Sequence, residues 1–270
     1  MTTTLGPVST TIHRVTLLRV ARSELVKFLS LRLNLLTLAA AAVVTFAFGL
    51  VNALVVTNPQ AKEALEGSFD PVALSLAGPA LGQLVVSTLG VMVITGEYAS
   101  GSIRGTLAAV PQRLPVLWAK IAVVAVASFV TTLPALLASF LISQPIFAGV
   151  DLPSATLDDP GVRRAVIASA LYLTGTAIMG VGLGLLFRNT AAAAATLSGV
   201  LLIGDSLLAL APPAIYEAVA PFLPSNAGLS FTSVLPPDGM LPVWGGVAVF
   251  AAYLVVISAG AALALRRRDV

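Results

Sequence analysis

The sequence predicts an all-α integral membrane protein, and three observations carry that expectation. Of 270 residues, 10% are charged and 57% hydrophobic, against roughly a quarter charged in a soluble domain. Six apolar runs reach the ~20 residues that a helix of 1.5 Å rise needs to cross a bilayer. They fall near 33–57, 72–95, 116–142, 165–187, 190–211 and 242–265. The short alternating segments of an outer-membrane barrel are not seen, so the chain reads as one transmembrane domain over 1–270.

Taken in order, the first element precedes the spans. "IHRVTLLRVARSELVKFLSLR" (12–32) places Ile12, Val15, Leu18, Leu25, Phe28 and Leu29 at three- and four-residue spacing, with Arg14, Arg22, Glu24, Lys27 and Arg32 elsewhere around the helix. Such a helix lies along the inner leaflet or serves as a basic anchor that fixes topology, and the two readings are compatible. The first span follows. At about 25 residues it exceeds the h-region of a signal peptide, and five more spans come after it, so it reads as a retained helix.

Between the second and third spans, "GEYASGSIRGTLAAVPQRLPVLWAK" (96–120) interrupts the apolar chain with Glu97, Arg104, Arg113 and Lys120. Residues 96–110 hold Glu97, Tyr98, Ile103, Arg104, Leu107 and Ala108 without proline, which predicts a short amphipathic helix closed by Pro111. The fourth span carries Gly180, Gly182 and Gly184, spaced for close helix packing. "RNT" leaves room only for a tight hairpin to the fifth span. That span contains Asp205, roughly 9 Å from its outer end. Its two readings are a substrate-facing or ion-paired carboxylate, with Arg163 or Arg164 as partner, and a structural or vestibule residue. The 212–241 loop carries six prolines, so "AIYEAV" is at most a short helix within it.

Lys and Arg set orientation. With six spans both termini share a side, and that side holds twelve of fifteen basic residues: Arg14, Arg19, Arg22, Lys27, Arg32, Arg104, Arg113, Lys120, Arg188, Arg266, Arg267 and Arg268. It is therefore expected to be cytoplasmic. Trp118 and Tyr98 fall near the inner interface, Trp244 and Tyr216 near the outer one. The juxtamembrane charge suits the lipid bilayer and cytoplasmic partners, not nucleic acid.

Several chemistries are excluded. Without cysteine there is no disulfide, thiolate zinc site or thiol nucleophile. The single His13 has no second ligand near it, so no metal site is expected. Neither G-x-x-x-x-G-K-[ST], H-E-x-x-H nor G-x-S-x-G occurs, and adjacent Asp158 and Asp159 read as solvated turn formers. No catalytic residue is expected. Asn34, Asn52, Gln83 and Thr176 are polar positions within spans that can line a path, yet they form no proton relay.

"GEYASGSIRGTLAAVPQR" followed by "LWAK" resembles the segment after the second span in membrane subunits of ABC-type exporters of the type-2 class. "RSELVKFLSLR" (22–32) resembles that family's entry helix, and "FLPSNAG" (222–228), downstream of an acid in the fifth span, resembles its outer loop. The resemblance implies a permease with no ATPase of its own and no cofactor in this chain, ATP and Mg residing on a partner. It implies pairing as a homodimer or with a sister permease, and two copies of a cytoplasmic ABC ATPase subunit. Residues 97–110 would form a coupling helix docked in the ATPase, with Glu97, Tyr98, Arg104, Leu107, Pro111 and Arg113 as coupling residues. Arg22, Glu24, Lys27 and Arg32 would belong to the interfacial helix. Asn52, Gln83 and Asp205 would border the translocation path, and Pro224, Ser225 and Asn226 the outer loop. A re-entrant element would occupy 213–227. Asp205 stands where glutamate is more usual in that family. The implied cargo is a hydrophobic or amphipathic drug, antibiotic, peptide or lipid. Alanine- and arginine-rich usage points to a bacterial cytoplasmic membrane. An ATP-independent secondary transporter or channel-like protein is the other reading.

Overall fold

A computed structural model describes residues 16–65, 69–103, 105 and 113–267, and among these there are helices and no strands. Helix α1 (Leu17–Ser30) is followed by α2 (Arg32–Val55), short α3 (Pro59–Ala64) and α4 (Pro71–Ser75), then α5 (Pro79–Ala99) and α6 (Arg113–Ala148). Helix α7 (Val162–Phe187) leads to a fifth span built from α8 (Thr190–Ser198), a π-helical turn (Gly199–Ile203) and α9 (Gly204–Leu208). Short helices α10 (Pro213–Val219) and α11 (Pro224–Thr232) precede the last span, α12 (Val243–Arg267). Among the described residues six helical stretches are long and apolar enough to cross a membrane, in the order expected. This is a multi-pass membrane protein.

Three boundaries differ from expectation, each for a local reason. The second span is broken at 76–78. Asp70 caps α4, its Oδ1 accepting from the amides of Val72 (2.8 Å) and Ala73 (3.0 Å), and α5 starts afresh with Pro79 at its first turn. The third span runs from 113 to 148, beyond 116–142, and stays helical through Pro134 and Pro145. A proline inside a helix forfeits a backbone bond. Neighbouring helices sustain such helices in membranes, and α6 packs against both α2 and α7. The fifth span ends at Leu208, short of 211.

Helices α5 and α7 form the centre. The share of each apolar stretch that is buried is 72% for Val162–Phe187 and 56% for Pro71–Ala99, against 17% for each of the fifth and sixth spans. Glycines allow this contact: a methyl group added at Gly180 would fall on the carbonyl of Ser87, and one at Gly90 on the carbonyl of Ala177. The glycine spacing in the fourth span thus does what its sequence predicted. Toward one end the core is aromatic, with Tyr172 and Phe250 ring centres 5.1 Å apart and Phe231 5.5 Å from Phe250. Toward the other it is mostly aliphatic, with Leu89, Val124, Val181 and Leu185 in one cluster with Phe28. Spans one, three, five and six carry exposed apolar side chains such as Leu36, Val126, Leu207 and Val256, the surface expected toward lipid or a second membrane chain. Trp118 and Trp244 are exposed near the starts of α6 and α12.

The "RNT" hairpin is as tight as expected. Arg188 takes a left-handed conformation (φ 53°) to end α7, and Asn189 caps α8 by accepting from the amide of Ala192 (2.9 Å).

Candidate functional site

Residues far apart in sequence meet at the basic end of the molecule. Helix α1 packs on α6 through Val20, Glu24 and Phe28, spaced four apart and all buried. The face expected to be the apolar one divides: Leu18, Leu25 and Leu29 are exposed while Phe28 turns inward. Glu24, expected in the interfacial helix, lies on the buried face of α1. Glu24 faces protein and meets Lys120, about two turns into α6, a buried cation that needs an anion. Arg22 and Arg32 remain exposed. Extended Leu31 (φ −88°, ψ 106°) separates α1 from α2, and Asn34 secures the elbow by donating to the carbonyl of Phe28 (3.1 Å).

Four charges make the centre. Lys120 Nζ donates to Glu24 Oε2 at 2.6 Å and to Glu97 Oε1 at 2.9 Å, while Lys27 Nζ reaches Glu24 Oε1 at 2.7 Å and Glu97 Oε1 at 3.4 Å. The set is neutral, and it clamps α1, the last turn of α5 and the start of α6 together. Side chains of Glu24 and Lys120 are 3% exposed and that of Glu97 13%. Glu97 Oε2 is buried without a hydrogen-bond partner.

Burial pushes the Glu24 carboxyl up, but the Lys120 and Lys27 ammonium groups outweigh it and hold Glu24 below its ordinary 4.5. Burial pushes Lys27 down, and its pairing with Glu24 and Glu97 outweighs this, leaving it above its ordinary 10.5. A lowered carboxylate stabilises fully above its unfolded value and is lost as pH falls through the folded one; a raised lysine stabilises fully below its unfolded value and is lost as pH rises through the folded one. We therefore expect a thermal midpoint that is flat between about pH 5 and about pH 10 and declines on both sides. Scanning fluorimetry across that range checks it, and the acid limb will be shallower in Glu24→Gln.

Neighbouring contacts bind this cluster to the remaining helices. Tyr98, next to Glu97, lies under the Arg188 guanidinium of the α7–α8 hairpin, 5.0 Å from ring centre to carbon. Thr190 donates to Thr95 (2.7 Å). Arg113 donates to the Leu265 carbonyl (3.1 Å), so it joins α6 to α12. Arg104, Leu107 and Pro111, and with them most of the predicted amphipathic helix, lie outside the described residues. Beside the cluster a cavity of about 640 Å³ opens between the α1–α2 elbow and the end of α5.

At the opposite end the predicted path and loop residues partly converge. Pro224 opens α11 and is buried. Asn226 donates to Asp205 Oδ1 (2.6 Å) and to the Ala220 carbonyl (3.0 Å), and the Tyr216 hydroxyl donates to the same carboxylate at 3.3 Å. Arg163 and Arg164 are not the partners of Asp205. Arg164 instead donates to the carbonyls of Phe231, Ser233 and Val234, and Arg163 pairs with exposed Asp158 at 3.6 Å. Arg164 thereby satisfies carbonyls that the end of α11 and the residues after it leave without a helical partner. Gln83, buried in α5, accepts from the Tyr172 hydroxyl (2.5 Å). It shares a cavity of about 290 Å³ with Tyr172, Ser225 and Asn226. Asn52 stands apart, donating to the Phe48 carbonyl of its own helix (2.7 Å).

Three members of these sites were missed as site residues: Lys120, Tyr172 and Tyr216. For Lys120 the signal was present, since a lysine a turn inside a span demands a partner. No protein-family model matches the chain, and no curated protein matches it at a significant level.

Proposed function

We propose that this chain is the permease subunit of an ATP-driven exporter of the ABC type-2 class, moving a hydrophobic or amphipathic compound across a bacterial cytoplasmic membrane. The observation that carries this reading is the four-charge clamp. It fastens the entry helix, the end of the second span and the start of the third at the point where residues 100–112 connect them. A soluble partner that displaces this connection then moves three elements as one. ATP drives such a machine only if the ATP-bound partner prefers one membrane arrangement over the other. The energy comes from two cytoplasmic ATPase subunits holding ATP and Mg, and the exposed apolar faces of the outer spans suit a second permease, identical or sister.

Affinity purification from native membranes tests this: an ATP-hydrolysing subunit is expected to accompany the chain. Substrate flux by the chain alone in vesicles free of ATP would instead establish the secondary transporter or channel-like reading. Orientation has its own check. Because the sequence has no cysteine, Ser102→Cys offers a single thiol, which a membrane-impermeant reagent should label only from the cytoplasmic side.

In the assembled complex, Arg104→Ala is expected to cut export at least tenfold while ATP hydrolysis and expression persist, corresponding to about 1.4 kcal/mol of coupling. Glu97→Ala should do the same with some loss of stability. Export and substrate-stimulated hydrolysis at wild-type levels in both variants would overturn the coupling role.

A further inference from the structure

A groove with a cavity of about 560 Å³ runs along the flank of the bundle between α6 and α12, apart from the charge clamp. Helix α12 lines it from Leu254 to Arg266, and Leu114 and Trp118 of α6 form the facing wall. Arg113 fixes the register of the two helices. By donating to the Leu265 carbonyl it sets the first turn of α6 beside the last turn of α12, so Arg113 and Arg266 stand at one end. From there α12 rises about 18 Å to Leu254, against roughly 15 Å for one hydrocarbon leaflet. Apart from Ser258 the wall along that rise is apolar, and Val255, Ala259 and Leu263 are exposed. The groove is as long as a leaflet is deep and charged at one end only.

That end specifies the head. The Arg266 guanidinium is exposed and makes no ion pair or hydrogen bond among the described residues, and the same holds for the indole N–H of Trp118, a residue 46% exposed. Exposed Arg267 follows, and Arg113 adds a third guanidinium. No residue of α6 or α12 is acidic. A planar guanidinium takes phosphate oxygens in pairs, and an indole settles at headgroup depth. Basic positions at the cytoplasmic ends of spans draw anionic lipid heads. A zwitterionic head would set its own cation among the arginines. A second copy of this chain docked here about a twofold axis would oppose the same arginines to each other.

We propose that this groove binds an anionic phospholipid of the leaflet on the basic side, its phosphate on Arg266 within reach of the Trp118 indole and one acyl chain along Leu263, Ala259 and Val255. With one wall on each helix, the lipid braces the third span against the sixth. The proposal requires that the chain cross a membrane and does not depend on an ATPase partner.

The test is lipid retention by the purified, delipidated protein in native mass spectrometry, using phosphatidylglycerol, phosphatidylethanolamine and phosphatidylcholine with identical acyl chains. One phosphatidylglycerol per chain is expected, held about tenfold more tightly than either zwitterionic lipid, the size of a hydrogen bond to a charged group. Arg266→Gln should abolish that preference. Ala259→Trp, which fills the groove from an exposed position, should lower retention of all three lipids. Arg163→Gln makes the same charge change at the opposite end of the molecule and should leave the preference intact. Equal retention of the three lipids by the wild type, a preference that survives Arg266→Gln, or one lost equally in Arg163→Gln overturns the proposal. So does a dimer that Ala259→Trp disrupts while phosphatidylglycerol retention is unchanged, a result that gives the groove to a second copy.

Discussion

Replacing Lys120 with methionine will destabilise the protein by about 3–5 kcal/mol, the usual consequence of removing one partner from a buried ion pair. Methionine fills a similar volume, so packing against Val123 and its neighbours is largely kept and the loss is electrostatic. What remains is Glu24, its side chain 3% exposed, beside Glu97, with only half-exposed Lys27 between them. Two carboxylates so placed repel, and one must take up a proton or α1 must lift from α6. Adding Glu24→Gln to Lys120→Met should restore much of the loss, because it removes the uncompensated charge. Guanidinium titration or thermal melting in detergent reads both. A Lys120→Met variant as stable as the wild type would show that the cluster contributes nothing to holding the three elements.

The second large effect lies at the centre of the bundle. Gly90→Val and Gly180→Val should each cost about 1–3 kcal/mol or more, and together should prevent folding. In both cases the new Cβ meets a backbone carbonyl of the facing helix, Ala177 or Ser87. Backbone cannot swing aside as a side chain does, so α5 and α7 must separate along the most buried contact in the molecule. Gly96→Ala, on the helix of Gly90 but with open space around it, is the control and should leave the stability within about 0.5 kcal/mol of wild type. Detergent-solubilised yield and midpoint check the set. Tolerance of valine at both glycines would mean the two helices are not held this closely.

Spans, hairpin and glycine contacts were legible in the sequence because each is a local or compositional signal. A run of apolar residues is long enough or it is not, and "RNT" between two such runs leaves no alternative to a turn. The break before Pro79 also had its signal in the Gly78–Pro79 pair. Pairings over long separations were not legible. Periodicity on α1 located the leucine face and left Glu24 with the polar residues, since a helical wheel cannot tell water from a lysine brought in from 96 residues away. In the same way two arginines at the start of α7 were equal candidates for Asp205, and the structure gives Arg164 to the carbonyls at and after the end of α11 and Arg163 to Asp158. Asn52 illustrates the converse: a polar side chain inside a span can find a hydrogen-bond partner on its own backbone.

The wider coil at Gly199–Ile203 decides which way the only acid of the fifth span looks. One extra residue in that turn advances everything beyond it by roughly 100° around the axis, and Asp205 stands two residues after it. Wound as an ordinary helix, the segment would swing the carboxylate away from Asn226 and Tyr216 and leave it without those two donors. The bulge is thus the azimuthal setting of the span, and relaxing it would exchange the side chains presented along the whole outer third of that helix.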